Sequence, residues 1–200
     1  MFKSILSLIF LTLIIYCSKK EETGLQSYSV DKNTDKNQIF KSLDKEKDFH
    51  FINESRIRDL NSKRTSNVEL KVYNKNNQTK INYDKLICYV DFLPSINSTT
   101  KDTLAIFIGN FDGYSGNSIS IKLFKKYYKM NYFDVSDVKV PKYLIPKYNT
   151  TKSELILEKN NYEIGDSIYG YLNFKGESDS TIIEAKGYFR CIVDNNLTTL

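Results

Sequence analysis

One stretch near the C-terminal end constrains the fold more than any other. Ile183, Ala185, Gly187, Phe189, Cys191 and Val193 fall on one parity, while Glu184, Lys186, Tyr188 and Arg190 fall on the other. A period of two over so many positions suits a strand with one face in a core and one toward water, and it cannot bury one face of a helix. The same alternation recurs upstream. Val68, Leu70 and Val72 share a face, as do Ile81 and Tyr83. Leu86, Cys88, Val90 and Phe92 form another set, then Leu104, Ile106 and Ile108, then Ile119, Ile121 and Leu123. Leu155 and Leu157 precede Ile168, Gly170, Leu172 and Phe174. Asn-, Asp- and Gly-rich stretches separate these runs: 74–77, 110–117, 160–166 and 176–180. Such residues tolerate the positive φ of tight turns. About eight strands over ~130 residues predict an all-β fold, an antiparallel β-sandwich over residues 67–196, with a small barrel as the alternative.

The N-terminus follows different rules. Lys3 precedes the apolar run Ile5–Ile15, and then come Tyr16 and Cys17. The run is shorter than the ~17–20 residues that cross a bilayer as a helix. Residues 1–16 therefore read as a signal peptide. Ile14-Ile15-Tyr16-Cys17 resembles the lipobox of bacterial lipoproteins, departing from it only at Tyr16, where a small residue is usual. The following Ser18-Lys19-Lys20-Glu21-Glu22 is similar to lipoproteins of the Bacteroidetes group, in which such a cluster acts as a surface-export signal. The resemblance implies that the Cys17 thiol is diacylated and becomes the first mature residue. It implies an outer-membrane anchor, with the protein on the periplasmic or the outer face, and the lipid bilayer as the first partner. Stable anchoring by acyl chains removes any need for a spanning segment.

Residues 17–36 are polar and aperiodic, and predict a flexible tether with a root-mean-square reach of roughly 25 Å. Residues 37–66 are ambiguous. Ile39, Phe40, Leu43 and Lys47 fit one helical face, with Asp35 as its cap. Residues 48–52 read as a strand, and 54–64 as a second short helix.

Composition limits the chemistry. One His and three scattered Cys supply no zinc ligand set. His50 is the one candidate base, and it has no nucleophile motif beside it. No phosphate loop or paired-carboxylate spacing appears, so no cofactor is implied and the chain reads as a non-enzymatic interaction or accessory module. Asp112 is a lone acid in a hairpin loop, too few for a calcium loop. Cys88 and Cys191 both fall on the core parity; they read either as a disulfide or as two separate buried thiols. Asp102-Thr103-Leu104 and Asp166-Ser167-Ile168 resemble the short acceptor of Bacteroidetes O-glycosylation, which implies a modified Thr103 or Ser167. Tyr162 to Gly170 resembles a strand pair of immunoglobulin-like sandwiches, which implies that architecture and no activity.

The nearest thing to a binding surface is the stretch 122–148. Lys122, Lys125, Lys126, Lys129, Lys139, Lys142 and Lys147 interleave there with Tyr127, Tyr128, Tyr132, Tyr143 and Tyr148. Lys neutralises anionic groups and aromatic rings stack on sugars. Lys125, Lys126, Tyr127, Tyr128 and Lys129 are the candidate ligand residues, for an envelope protein partner, a glycan or another polyanion. Nucleic acid is not an expected partner in the envelope.

Overall fold

The computed structural model describes residues 24–46, 63–84, 86–93, 103–111, 115–136 and 145–193. Cys17, His50, Asp102, Asp112, Lys139, Lys142 and Tyr143 lie outside them, as do the signal peptide and the strand expected at 48–52.

Eleven strands occur among the described residues: β1 Gln26–Ser27, β2 Ser29–Val30, β3 Glu69–Asn74, β4 Lys80–Tyr83, β5 Ile87–Leu93, β6 Thr103–Phe111, β7 Ser115–Phe124, β8 Tyr127–Ser136, β9 Asn149–Leu157, β10 Ser167–Glu177 and β11 Thr181–Ile192. They form two sheets, ordered β1-β8-β7-β6-β5 and β2-β9-β10-β11-β3-β4. The expected two-layer sandwich is the architecture observed, with the predicted apolar parities turned inward. Ile106, Ile108, Ile119 and Ile121 from the first sheet meet Leu155, Leu157, Ile168, Leu172 and Phe189 from the second, all nearly devoid of solvent contact. Ile81 is an exception, half-exposed on the edge strand β4.

The strand order explains how the layers close. From β3 to β11, every pairing but one joins strands consecutive in the chain; the exception is β11 with β3. This is the cyclic order of an up-and-down barrel, interrupted between β4 and β5 and between β8 and β9. The molecule is a barrel order flattened into two layers with two seams.

Each seam has its own closure. At the first, Cys88 of β5 and Cys191 of β11 are joined by a disulfide, with an S–S distance of 2.02 Å and Cα atoms 5.5 Å apart. Of the two readings of these cysteines, the bonded one is observed. Arg64 adds a guanidinium hydrogen bond to the Asp84 carbonyl. At the second seam the N-terminal segment acts as a strap. Gln26 and Ser27 pair with Tyr128 and Tyr127 of β8, and Ser29 and Val30 then pair with Ile156 and Leu157 of β9. Tyr28, between them, packs against the core and donates from its hydroxyl to the Lys125 carbonyl at 2.6 Å. Beneath the strap, Ser153 donates to the Tyr128 hydroxyl at 3.0 Å and Thr150 to the Met130 carbonyl at 3.3 Å.

The tether expected over 17–36 is therefore corrected over its second half: residues 24–36 are part of the fold. Apart from buried Thr34, most of their polar side chains stay exposed, and the strap is held through backbone pairing, which leaves no periodic trace. After the strap, a 3-10 turn at Thr34–Lys36 leads to helix α1, Gln38–Leu43. The cap is Asn37, whose side chain accepts from the Ile39 N–H at 3.0 Å. It is not Asp35, which lies inside the 3-10 turn. Phe40 and Leu43 are the buried face, as expected. Phe40 sits edge-on to Tyr169 and Tyr188 at 5.0 and 6.1 Å. The helix thus covers the outer face of the second sheet. Its end is fixed by Asp44, which pairs with Arg190 at 2.6 Å. That pairing holds the Asp44 carboxyl below its usual range.

The stretch resembling an immunoglobulin strand pair is a loop entering β10. Gly165 adopts φ +91°, where a side chain is disfavoured. The Asp166 carboxylate accepts from Lys159 at 2.7 Å and from the Glu163 N–H at 2.9 Å. Ser167, the hydroxyl expected to be modified, is the exposed first residue of β10. Thr103 opens β6 in the same way and is half-buried.

Candidate functional site

The lysine- and tyrosine-rich stretch contains a strand, β8, that the alternation count passed over. β8 places Tyr128, Met130 and Tyr132 in the core, with 1%, 3% and 5% of their surface exposed. Tyr127, Lys129, Asn131 and Phe133 take the other parity and face outward. The candidate set therefore splits. Tyr128 is withdrawn as a ligand residue. It is the largest fully buried side chain, and its hydroxyl donates to Gln26 Oε1 at 3.1 Å. Lys125, Lys126, Tyr127 and Lys129 are exposed together at and beside the β7–β8 turn.

Two residues missed among the candidate ligands join them. Lys122 and Lys129 stand directly opposite each other across β7 and β8, and Phe124 stands opposite Tyr127. Like charges facing across a strand pair repel. Lys125 and Lys126 add two more ammonium groups at the tip, and Lys125 adopts φ +53° to make the turn. None of the four lysines has an ion-pair partner among the described residues. Thr103, Phe124, Lys125, Lys126 and Tyr127 line a surface depression of about 400 Å³. Its floor is aromatic and its rim cationic. This arrangement suits an anionic ligand with an apolar or planar body. The signal for Lys122 and Phe124 was present in the sequence as the i−3 and i−1 neighbours of the turn, on the parity opposite Ile121 and Leu123.

The strap brings Gly24 to this patch. A side chain at Gly24 would lie 3.6 Å from Lys129 Cε. Leu25 and Val30 on the strap and Tyr127 at the tip are all large apolar residues with more than two-fifths of their surface exposed.

A second polar cluster lies on the inner side of β8. The Tyr132 hydroxyl contacts Asn117 Oδ1 at 2.6 Å and also the Asp134 carboxylate, and Tyr148 donates to Asp134 at 3.3 Å. The Tyr132 and Tyr148 rings meet edge to face at 4.9 Å. Burial raises both phenols, and neighbouring Asp134 raises them further; Tyr148 reaches about 12. Burial likewise lifts Tyr89 to about 12, and burial beside Glu158 lifts Tyr162 well above its usual value. Of these, the Tyr132, Tyr148 and Tyr162 hydroxyls are hydrogen-bonded to carboxylates. Among the described residues, no group of three or more His, Cys, Asp or Glu converges as a metal site. No helix of the described residues is long and apolar enough to cross a membrane.

The raised phenols set an alkaline limit. A raised folded-state value means the unfolded chain ionises first, near pH 10. The contribution is intact below pH 10 and is lost as the pH climbs through the folded values. We expect absorbance titration to show a group of tyrosines that ionise only as the fold is lost above about pH 11. Smooth titration of all tyrosines near pH 10, with circular dichroism unchanged, would contradict this assignment.

No protein-family profile, curated protein or solved structure matches the chain.

Proposed function

We propose that the protein is an envelope lipoprotein, anchored through acylated Cys17, whose sandwich is a non-enzymatic module that binds a polyanion at the β7–β8 turn. One observation carries the binding reading. Four lysines without ion-pair partners among the described residues gather at the turn: Lys125 and Lys126 line the depression with Phe124 and Tyr127, and Lys122 and Lys129 stand directly opposed across β7 and β8. Self-repulsion of that kind is relieved by an incoming anion, so the patch gains from a ligand what it lacks alone. The anchoring reading is supported by the apolar run ending at Cys17 and the polar cluster after it. An accessory role in a larger envelope assembly fits the same surface, with an acidic partner in place of a free polymer.

The test uses immobilised dextran sulfate as the polyanion. The chain is expected to be retained at low salt and released as the ionic strength rises. Lys125→Glu/Lys126→Glu/Lys129→Glu should shift elution to markedly lower salt. Retention unchanged by these substitutions would refute the site. The anchor is checked separately: Cys17→Ala should abolish labelling by an alkyne fatty acid, and a variant that still labels would refute acylation at Cys17.

A further inference from the structure

We infer that the anion met by this patch is the headgroup layer of the membrane that holds the protein, so that the β7–β8 turn lies against the bilayer. This rests on the anchoring and polyanion readings above and names the partner of the same site. The argument is one of reach. Gly24 follows Cys17 by seven positions in the sequence. A fully extended chain of that length spans at most about 25 Å. The described residues begin at Gly24, where an added Cβ would lie 3.6 Å from Lys129 Cε. From Lys129 to Tyr127, where β8 meets the turn, is two residues along the strand, about 7 Å. An acylated Cys17 therefore holds the leaflet within roughly 25 Å of Gly24, so that the headgroups are within reach of Lys122, Lys125, Lys126 and Lys129.

The surface is suited to that neighbour. Acyl chains supply the first attachment, and a basic patch is the usual second signal that fixes orientation. Each lysine close to an anionic leaflet is worth about a five-fold gain in partitioning. Tyr127 is half-exposed beside the lysines, and Leu25 and Val30 are exposed on the strap. Amphipathic and apolar side chains beside lysines match a headgroup boundary better than a fully hydrated polymer. Charge complementarity and reach thus point to the same occupant.

The chain contains no Trp. A single Tyr127→Trp substitution therefore places the sole indole on the patch. The acylated full chain is reconstituted in vesicles of phosphatidylcholine with 30% dibrominated phosphatidylglycerol, and in vesicles of dibrominated phosphatidylcholine alone. Strong quenching in the first set, relieved by 1 M salt and several-fold weaker in the second, is expected. Lys122→Gln/Lys125→Gln/Lys126→Gln/Lys129→Gln should remove it; the salt series makes the same test without those substitutions. Ile81→Trp, on the edge strand β4, is the control and should stay unquenched.

Absence of quenching at position 127 in the anionic vesicles overturns the inference. So does equal quenching in both vesicle types, or equal quenching at positions 127 and 81. Retention on dextran sulfate together with an unquenched indole would leave the polyanion site standing and assign it to a soluble acidic polymer. Loss of fatty-acid labelling would instead locate the failure in the anchor.

Discussion

Replacing both bridge cysteines, Cys88→Ser with Cys191→Ser, is expected to lower stability by about 4–5 kcal/mol. The bridge spans 103 positions and ties β5 of one sheet to β11 of the other. Nearly all the chain entropy it removes belongs to the unfolded state, since the loop it closes contains most of the domain. For a domain whose whole stability is about 5–15 kcal/mol, that is a third or more. Urea unfolding of the double variant should show a midpoint far below that of the parent chain. Reducing the parent with excess thiol should reproduce the shift. A midpoint unaffected by either treatment would mean that the two sulfurs do not bond in solution.

Two adjacent tyrosines supply the second large effect. Tyr128→Ala is expected to cost about 3–5 kcal/mol, because it empties a fully buried ring position and strands the Ser153 and Gln26 groups that contact its hydroxyl. Tyr127→Ala, one residue away, should change stability by no more than about 0.5 kcal/mol while weakening retention on dextran sulfate. The pair separates core from surface within a single dipeptide, by thermal unfolding on one side and salt elution on the other. A stable Tyr128→Ala chain with lost retention would invert the assignment of the two faces.

That dipeptide also shows where legibility ended. The strongest runs, such as Leu104-Ile106-Ile108 against Ile119-Ile121-Leu123, carry aliphatic side chains on one parity, and their strands were readable from hydropathy alone. β8 uses Tyr128, Met130 and Tyr132 for the same purpose. Tyrosine is amphipathic, so a buried row of it between lysines looks like a solvated aromatic surface. The strap was unreadable for another reason. Two residues on each sheet, held by backbone hydrogen bonds, place no demand on side-chain type. The cysteine parity put both sulfurs in the core, but only the spatial crossing of β5 with β11 brings them together. The exposure of Lys125 and Lys126 was legible because turn lysines point outward whatever the strand order. The parity of Lys122 and Phe124 was legible too, but their places opposite Lys129 and Tyr127 follow only from the register of β7 on β8.

The strap has a consequence for the proposed anchoring at Cys17. Tension on the chain ahead of Gly24 reaches the body first through the few backbone hydrogen bonds of Gln26–Ser27 to β8 and of Ser29–Val30 to β9. Those short pairings give way at far lower force than the long β7–β8 and β10–β11 ladders, and the bridge between β5 and β11 keeps the layers together meanwhile. Under pull the molecule peels from one edge before it tears. It lengthens its own leash by the strap residues and bares β8 and β9 as open edges that can pair with another chain.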